Sequence, residues 1–466
     1  MHSQGHTLSL SRLAARRVLE IAEKPLSQAV RDKAALCLLD FLGCCMAARR
    51  TPWAPSLLRF IEARADRPEA YQWGLERPVS ARSAAFGNAI LGHSLLREDM
   101  HVTSGSHIGV LVIPAVLALC EREGLPGKSV ISGITAGYEI AARLGTAVRS
   151  SGTFNRHFRP SGITGALGAA AGASAAAHLD EDRTVHSLGF AANFACGLNE
   201  WAWSGAQEIF VHAGMAAQSG FDAFDLARAG MRASEAILEG RDGLFAAYGC
   251  GEAAGSIFSG FDSSAPSILE VRHKPYAGCN FIQTAIAAAL RSKQRIGRSS
   301  EIEALLIRTF PDAQTYPGCD YAGPFASIQQ TKMSLQFSVA AALLYGPPDD
   351  AVYSKFDDPE LIRLVKLCRI EIDPSLAAAF PVRQGAAVEV RLRNKKTLIE
   401  SLDDVPWLDE GHVVDRFLAE ASACGAASVG KQIAEAAYDF WYLDDSREFF
   451  ALLPLVGSKA EQAPVH

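Results

Sequence analysis

The sequence predicts a mainly α fold joined to a second, smaller α+β domain. Three observations predict it. Apolar residues recur at helical spacing from about residue 8 to 255, short β-branched alternations replace that period after about 265, and helical spacing returns from about 410. The expected layout is an all-helical domain over 1–265, an inserted α+β domain over 266–405 and a helical return over 406–466. A chain of 466 residues is long enough for two or three folding units.

In the helical part, "SQAVRDKAALCLLDFLGCCMAARR" offers Ser27 as an N-cap followed by Ala34, Leu38, Leu39 and Leu42 on one face. "IPAVLALCEREG" and "KSVISGITAGYEIAARLGTAVR" repeat the pattern, divided by the helix stop and turn "GLPGK". "PSGITGALGAAAGASAAAHL" is almost wholly Gly, Ala and Ser, which predicts a buried helix approached closely by another backbone. Further on, "SILEVRHKPY", "EIEALLIRTF", "CRIEIDPS" and "AAVEVRLRNKKTLIESLD" read as strands, the last folded around an "RNKK" turn. They alternate with helices such as "FIQTAIAAALRSK" and "SLQFSVAAALLYG".

Composition narrows the function. Hydrophobic residues make up 49% and charged residues 21%, so a large core is buried. The net charge of −6 is spread along the chain and forms no basic face, which argues against nucleic acid or acidic membrane as a partner. The 10 cysteines include no C-x-x-C pair and several sit in apolar runs, so buried reduced thiols are expected. With no apolar leader region and no run of about 18 apolar residues, a soluble cytoplasmic protein is expected. No G-x-G-x-x-G after a strand, P-loop, H-E-x-x-H or G-x-S-x-G is present.

Four polar clusters remain. "REDMHVTSGSHIGVLVIP" gathers Asp99, His101, Thr103 and His107 before a helix expected to begin near Ile113. The six-residue spacing of the histidines does not place them on one helix face, so a metal site is disfavoured. A pocket wall and a polar loop capping the next helix both suit these residues. In "SGTFNRHFRPSGITG", His157 and Arg159 precede the glycine-rich helix, whose N-terminus favours an anion; Arg159 there is either a carboxylate clamp or an ordinary loop arginine. In "VRHKPYAGCNFIQTAI", Lys274 ends a segment and Cys279 starts a helix, where a thiolate is favoured; a buried small residue is the plainer reading of Cys279. "GCDYAGPFASIQQTK" offers Tyr321 and Lys332 in a loop.

Taken in order, these pieces resemble the MmgE/PrpD family, which includes 2-methylcitrate dehydratase, cis-aconitate decarboxylase and iminodisuccinate epimerase. The resemblance runs through "RSAAFGNAILGHSLLREDMHVTSGSHIGVLVIPAVLALCE", "ITAGYEIAARLG", "FRPSGITGALGAAAGAS", "VHAGMAAQSG", "ILEGRDGLFAAYG" and "HKPYAGCNFIQTAI". It implies a helical large domain, an α+β lid domain, a homodimer, and a cofactor-independent reaction on a small carboxylate. The shared step is removal of a proton beside a carboxylate or carbonyl to give an enolate-like intermediate. Dehydration, decarboxylation or epimerisation then follows.

Carried over residue by residue, the resemblance implies Asp99, Thr103 and His107 in the first polar block and Tyr138 in the Gly-Tyr-Glu motif. It also implies Lys274 in Lys-Pro-Tyr and Tyr321 in a later loop. Three positions depart from the pattern. Arg159 stands where a histidine is common, with His157 two residues earlier as a substitute; Ile209 replaces a common lysine; Cys279 stands where decarboxylase-like members have histidine. An apolar Ile209 predicts a substrate with fewer carboxylates or a bulkier apolar part than 2-methylcitrate. The implied catalytic set is His107, Asp99, Lys274, Tyr321 and His157. Arg159, Thr103, His101, Tyr138, Cys279 and Ile209 are the implied substrate-binding residues. No metal or other cofactor is expected, and activity is expected to survive chelators. A lyase is the leading expectation, an isomerase using the same enolate the next, and a non-catalytic descendant the last.

Overall fold

The computed structural model describes residues 8–64, 67–150, 157–261 and 265–457. Its N-terminal body is helical: α1 Leu10–Glu23, α2 Gln28–Ala48, α3 Ala54–Glu62, α4 Ala81–His93, α5 Gly109–Glu123, α6 Gly127–Ser150, α7 Pro160–Ala176, α8 Glu181–Ala192, α9 Trp201–Ser204 and α10 Glu208–Arg228. Ser27 caps α2 as expected, its hydroxyl accepting from the Val30 N–H.

The small-residue helix α7 lies at the centre, packed against α6, α10 and α5. Sixteen of its seventeen residues are buried. Close approach is the reason for its composition. A Cβ on Gly168 would stand 3.1 Å from the Gly137 carbonyl oxygen of α6, and one on Gly220 of α10 would stand 2.5 Å from the Ala166 carbonyl oxygen. Backbones this near leave no room for side chains, so the gain is dispersion over the whole contact.

A four-stranded sheet follows, β1 Ile302–Thr309, β2 Cys368–Ile372, β3 Ala386–Leu392 and β4 Thr397–Leu402, in the order β2-β1-β3-β4. β1 and β2 are parallel with Leu305 opposite Cys368; β3 is antiparallel to β1 and forms a hairpin with β4. The helix Gln283–Lys293 packs on β3 and β4 and on the helix Leu335–Tyr345. The protein thus has a helical N-terminal domain and a C-terminal α+β domain. The helix Glu410–Ala423 returns to pack on α2.

Two expectations need correction. "SILEVRHKPY" is not a strand of the sheet: Ser267–Glu270 is a 3-10 turn whose Ser267 N–H is taken by Glu139 Oε2 at 2.7 Å. Arg272 and His273 then make single bridges to Met100 and Leu408. Alternation there reflects burial against the helical domain rather than sheet pairing. The helix after the polar loop begins at Gly109, one turn before Ile113, because Asp99 Oδ1 accepts the Gly109 N–H at 3.1 Å. Among the described residues, no helix is long and apolar enough to cross a membrane.

Candidate active site

A cavity of about 490 Å³ opens between the loop after α4, the N-terminus of α7 and the loops of the α+β domain. An antiparallel bridge between Phe158 and Leu198, made by two flanking hydrogen bonds, fixes its floor. Arg159 N–H donates to Gly197 O at 2.8 Å, and Asn199 N–H donates to His157 O at 2.9 Å. This turn aims the first residues of the seventeen-residue α7 into the cavity, where Pro160 and Ser161 line the wall. The Ser161 hydroxyl accepts the His107 backbone N–H at 3.1 Å, tying the polar loop to the helix start.

Four side chains form a connected row here: Arg159, His93, Glu98 and His107. Arg159 Nη2 lies 2.5 Å from His93 Nε2, His93 Nδ1 lies 2.5 Å from Glu98 Oε1, and His107 Nδ1 lies 3.0 Å from the same oxygen. The protonation pattern follows from donor chemistry. A guanidinium only donates, so His93 Nε2 accepts and His93 carries its proton on Nδ1, which donates to Glu98. An ionised Glu98 facing His107 Nδ1 likewise favours the proton there, leaving the His107 Nε2 lone pair free. Burial alone would raise Glu98, but the two rings outweigh it and hold its carboxyl well below the usual range. Burial lowers His93 to about 3; Glu98 pulls against this and Arg159 adds to it. Burial and then Lys274 lower His107 to about 4, against Glu98. Both rings are therefore neutral near pH 7.

Lys274 stands behind the wall rather than in it. It is fully buried, and its Nζ donates to the Leu96 carbonyl and, at 3.3 Å, to Gly278 O. Leu96 adopts a left-handed φ of 51°, and both Leu96 and Gly278 line the cavity. Burial lowers the lysine, while Glu98 works to raise it. Arg159 is also lowered by burial. Its Nη1 donates to the Ile209 carbonyl at 2.9 Å. Arg149 also lines the cavity, its Nη1 donating to Val102 O at 3.1 Å.

Of the residues picked from sequence, His107, His157, Arg159, Cys279 and Ile209 line this cavity. Asp99 and Tyr138 are buried beneath it: the Tyr138 hydroxyl donates to Asp99 Oδ2 at 2.5 Å, and burial raises Asp99 to about 7. They support the start of α5. His101 is buried in its own turn, accepting from the Ser104 N–H at 3.2 Å and facing Glu270 at 3.3 Å, and Thr103 is exposed. Tyr321 donates to the Pro324 carbonyl and does not line the cavity. Lys332 lies buried in the helix Ile328–Met333, paired with Asp350 at 2.6 Å. Residues 151–156 of the His157 cluster lie outside the described residues.

His93, Glu98 and Tyr316 were not singled out by sequence. His93 is the last residue of α4, and Glu98 adjoins Asp99 inside the stretch already quoted. Their signal was proximity to that stretch. Tyr316 lines the cavity beside Arg159 and is raised by burial to about 12. The ligand atoms of His93, Glu98 and His107 fall within 4.8 Å of one another, close enough in principle for a cation. Arg159 already donates to His93, and Lys274 adds a second positive charge, so the local field opposes a divalent ion.

Profiles of two families match this chain: the MmgE/PrpD N-terminal domain over residues 12–255 and the MmgE/PrpD C-terminal domain over 276–415. The chain belongs to the MmgE/PrpD family. It is 27% identical over 222 residues to a cis-aconitate decarboxylase of Aspergillus terreus, covering 46% of this chain and 45% of that one. It is 29% identical over 171 residues to the Homo sapiens cis-aconitate decarboxylase, covering 35% and 34%. It is 24% identical over 410 residues to the Mus musculus enzyme, covering 83% and 81%. Its match to the fungal enzymes thus spans about half their length.

Proposed function

We propose that this MmgE/PrpD protein is a cofactor-independent lyase acting on a small carboxylate substrate, with His107 as the base. The row Arg159–His93–Glu98–His107 carries the proposal: a neutral imidazole on the cavity wall with a buried carboxylate behind it and a guanidinium at the far end.

A substrate carboxylate docks at the N-terminus of α7 between Arg159 and Arg149. His107 Nε2 removes the proton on the adjacent carbon, and Glu98 stabilises the imidazolium that results. Arg159 and the field of buried Lys274 stabilise the enolate-like charge. In dehydration, hydroxide leaves the neighbouring carbon and takes the His107 proton as water; in decarboxylation, the His107 proton returns to carbon, carbon dioxide leaves, and the carbon that lost it takes a proton from solvent. Asp99 and Tyr138 act as positioning residues that set the start of α5. His157 stands at the cavity mouth. Tyr321, Thr103 and His101 are proposed to act only through the loops that carry them.

The walls support a substrate with one or two carboxylates and an apolar arm. Trp201, Trp203, Ile209, Phe281 and Met333 supply the apolar surface, facing the two arginines. We take the lid domain to run over 266–405, between helical parts 1–265 and 406–466. The packing of Glu410–Ala423 on α2 supports this division. We propose a cytoplasmic homodimer; the exposed apolar side chains Leu198, Trp203, Val211 and Met215 support the self-association. Light scattering at micromolar protein is expected to give twice the chain mass, and a stable monomer contradicts the assembly.

Incubation with a panel of mono-, di- and tricarboxylates with and without apolar arms, cis-aconitate and 2-methylcitrate included, followed by mass spectrometry, tests the reaction. A product lighter by water or by carbon dioxide is expected. Deuterium wash-in with no mass loss assigns an isomerase instead, and no change in any compound refutes the lyase.

A further inference from the structure

We propose that Cys279 and Cys319 form a peroxide-oxidisable dithiol in the cavity wall, a modification site separate from the lyase chemistry. Their sulfurs lie 3.7 Å apart, and both residues are buried free cysteines. Cys279 lines the cavity, and Cys319 lies directly behind it. Small polar oxidants therefore reach the first sulfur through the same opening as substrate.

The juxtaposition is built by the backbone. Each cysteine follows a glycine of left-handed φ, Gly278 at 106° and Gly318 at 81°. A Cβ on Gly278 would stand 2.9 Å from the Lys332 carbonyl oxygen, and one on Gly318 would stand 3.2 Å from the Ala202 carbonyl oxygen. Only glycine lets both loops seat this deeply. Backbone bonds then pin the cysteines, Cys279 N–H to Lys332 O at 3.0 Å and Leu335 N–H to Cys319 O at 2.9 Å. A disulfide needs sulfurs ~2.05 Å apart, so they must close by roughly 1.7 Å, within reach of side-chain rotation and a small loop shift.

The two thiols have different surroundings. Cys279 stands before the turn Asn280–Ile282 that leads into the helix Gln283–Lys293. The hydrogen bond with Cys319 lowers the Cys279 thiol against the opposing effect of burial, and the Phe281 N–H, Lys274 and Arg159 add to the lowering. Cys319 keeps its proton, held by its bond to Cys279 and by burial.

The division of labour follows. The Cys279 thiolate attacks one peroxide oxygen, the O–O bond breaks, and hydroxide leaves, giving a sulfenic acid. The Cys319 sulfur attacks that sulfur and expels the hydroxyl group. The two released hydroxides take the two thiol protons, so two thiols and one hydrogen peroxide give one disulfide and two waters. The bond would draw in the loop that carries Tyr316, which lines the cavity beside Arg159.

The test treats the folded full-length chain with sub-millimolar hydrogen peroxide, blocks remaining thiols after unfolding, and maps peptides by mass. A Cys279–Cys319 linked pair lighter by two hydrogens and restored by dithiothreitol is expected. In Cys319→Ser, dimedone should label Cys279 instead. Two results overturn the proposal: both thiols still alkylatable while exposed Cys196 is oxidised, or Cys279 passing to sulfinic acid with no link formed.

Discussion

Replacing Glu98 by glutamine removes the charge behind His107 while keeping nearly the same volume. In the resting site the carboxylate oxygen lies 3.0 Å from His107 Nδ1. Once His107 has taken a proton, two unit charges at that separation attract by roughly 5 kcal/mol at an effective dielectric of ~20. An amide forfeits most of this. A loss of about 3–4 kcal/mol corresponds to a ~10²–10³-fold fall in kcat. Both rings contact the same Glu98 oxygen, and a glutamine oxygen placed there still accepts from both Nδ1–H groups, so the variant removes the charge without changing either tautomer. Steady-state kinetics on whichever panel carboxylate reacts gives the first readout, with melting temperature as the control. NMR titration gives a second that needs no turnover: His107, already held at about 4, should titrate lower still without the anion. A folded Glu98→Gln protein within threefold of wild-type kcat refutes the relay.

Three further outcomes follow from other parts of the structure. Asp99 is raised from 3.8 to about 7, so the folded state holds its proton more tightly and the stability this gives is lost as pH rises through that window. Asp99→Asn keeps a neutral hydrogen-bonding group there, and its stability should gain on wild type by up to about 4 kcal/mol between pH 4 and 8 in urea titrations; parallel curves would contradict the assignment. Arg159→Lys cannot serve Ile209 O, His93 and a carboxylate together, so KM should rise about 10–100-fold with a smaller change in kcat. An unchanged KM would remove Arg159 from substrate binding. Gly220→Ala gains about 1 kcal/mol of helix propensity but places its Cβ 2.4 Å from Ala169 Cβ and 2.5 Å from Ala166 O. Overpacking of about 1–3 kcal/mol or more should dominate, and a lowered melting temperature checks it.

The fold was legible where the chain repeats a period. The β3–β4 hairpin, the Ser27 cap and the buried glycine-rich helix follow from alternation, capping chemistry and side-chain size, all local properties. "SILEVRHKPY" misled because alternating burial against another domain looks like alternating burial in a sheet. The site was legible in part. His107, Arg159, Ile209 and Cys279 do meet around one cavity, though they come from four segments. What spacing could not reveal is which polar residues turn inward. Asp99 faces the start of α5 while its neighbour Glu98 faces the histidines, a difference of one residue decided by tertiary packing. His93 lies near the polar loop in sequence, but its contact with Arg159, 66 residues away, is set by tertiary packing.

In the proposed mechanism His107 removes a proton beside a carboxylate. Proton NMR in deuterium oxide measures that step directly, with cis-aconitate and the other panel carboxylates as probes. Wild-type protein should wash deuterium into a carbon next to a carboxylate, and His107→Gln, folded by circular dichroism, should do so at least ~100-fold more slowly. Exchange by the variant at the wild-type rate, or none by the wild type with any member of the panel, would contradict it.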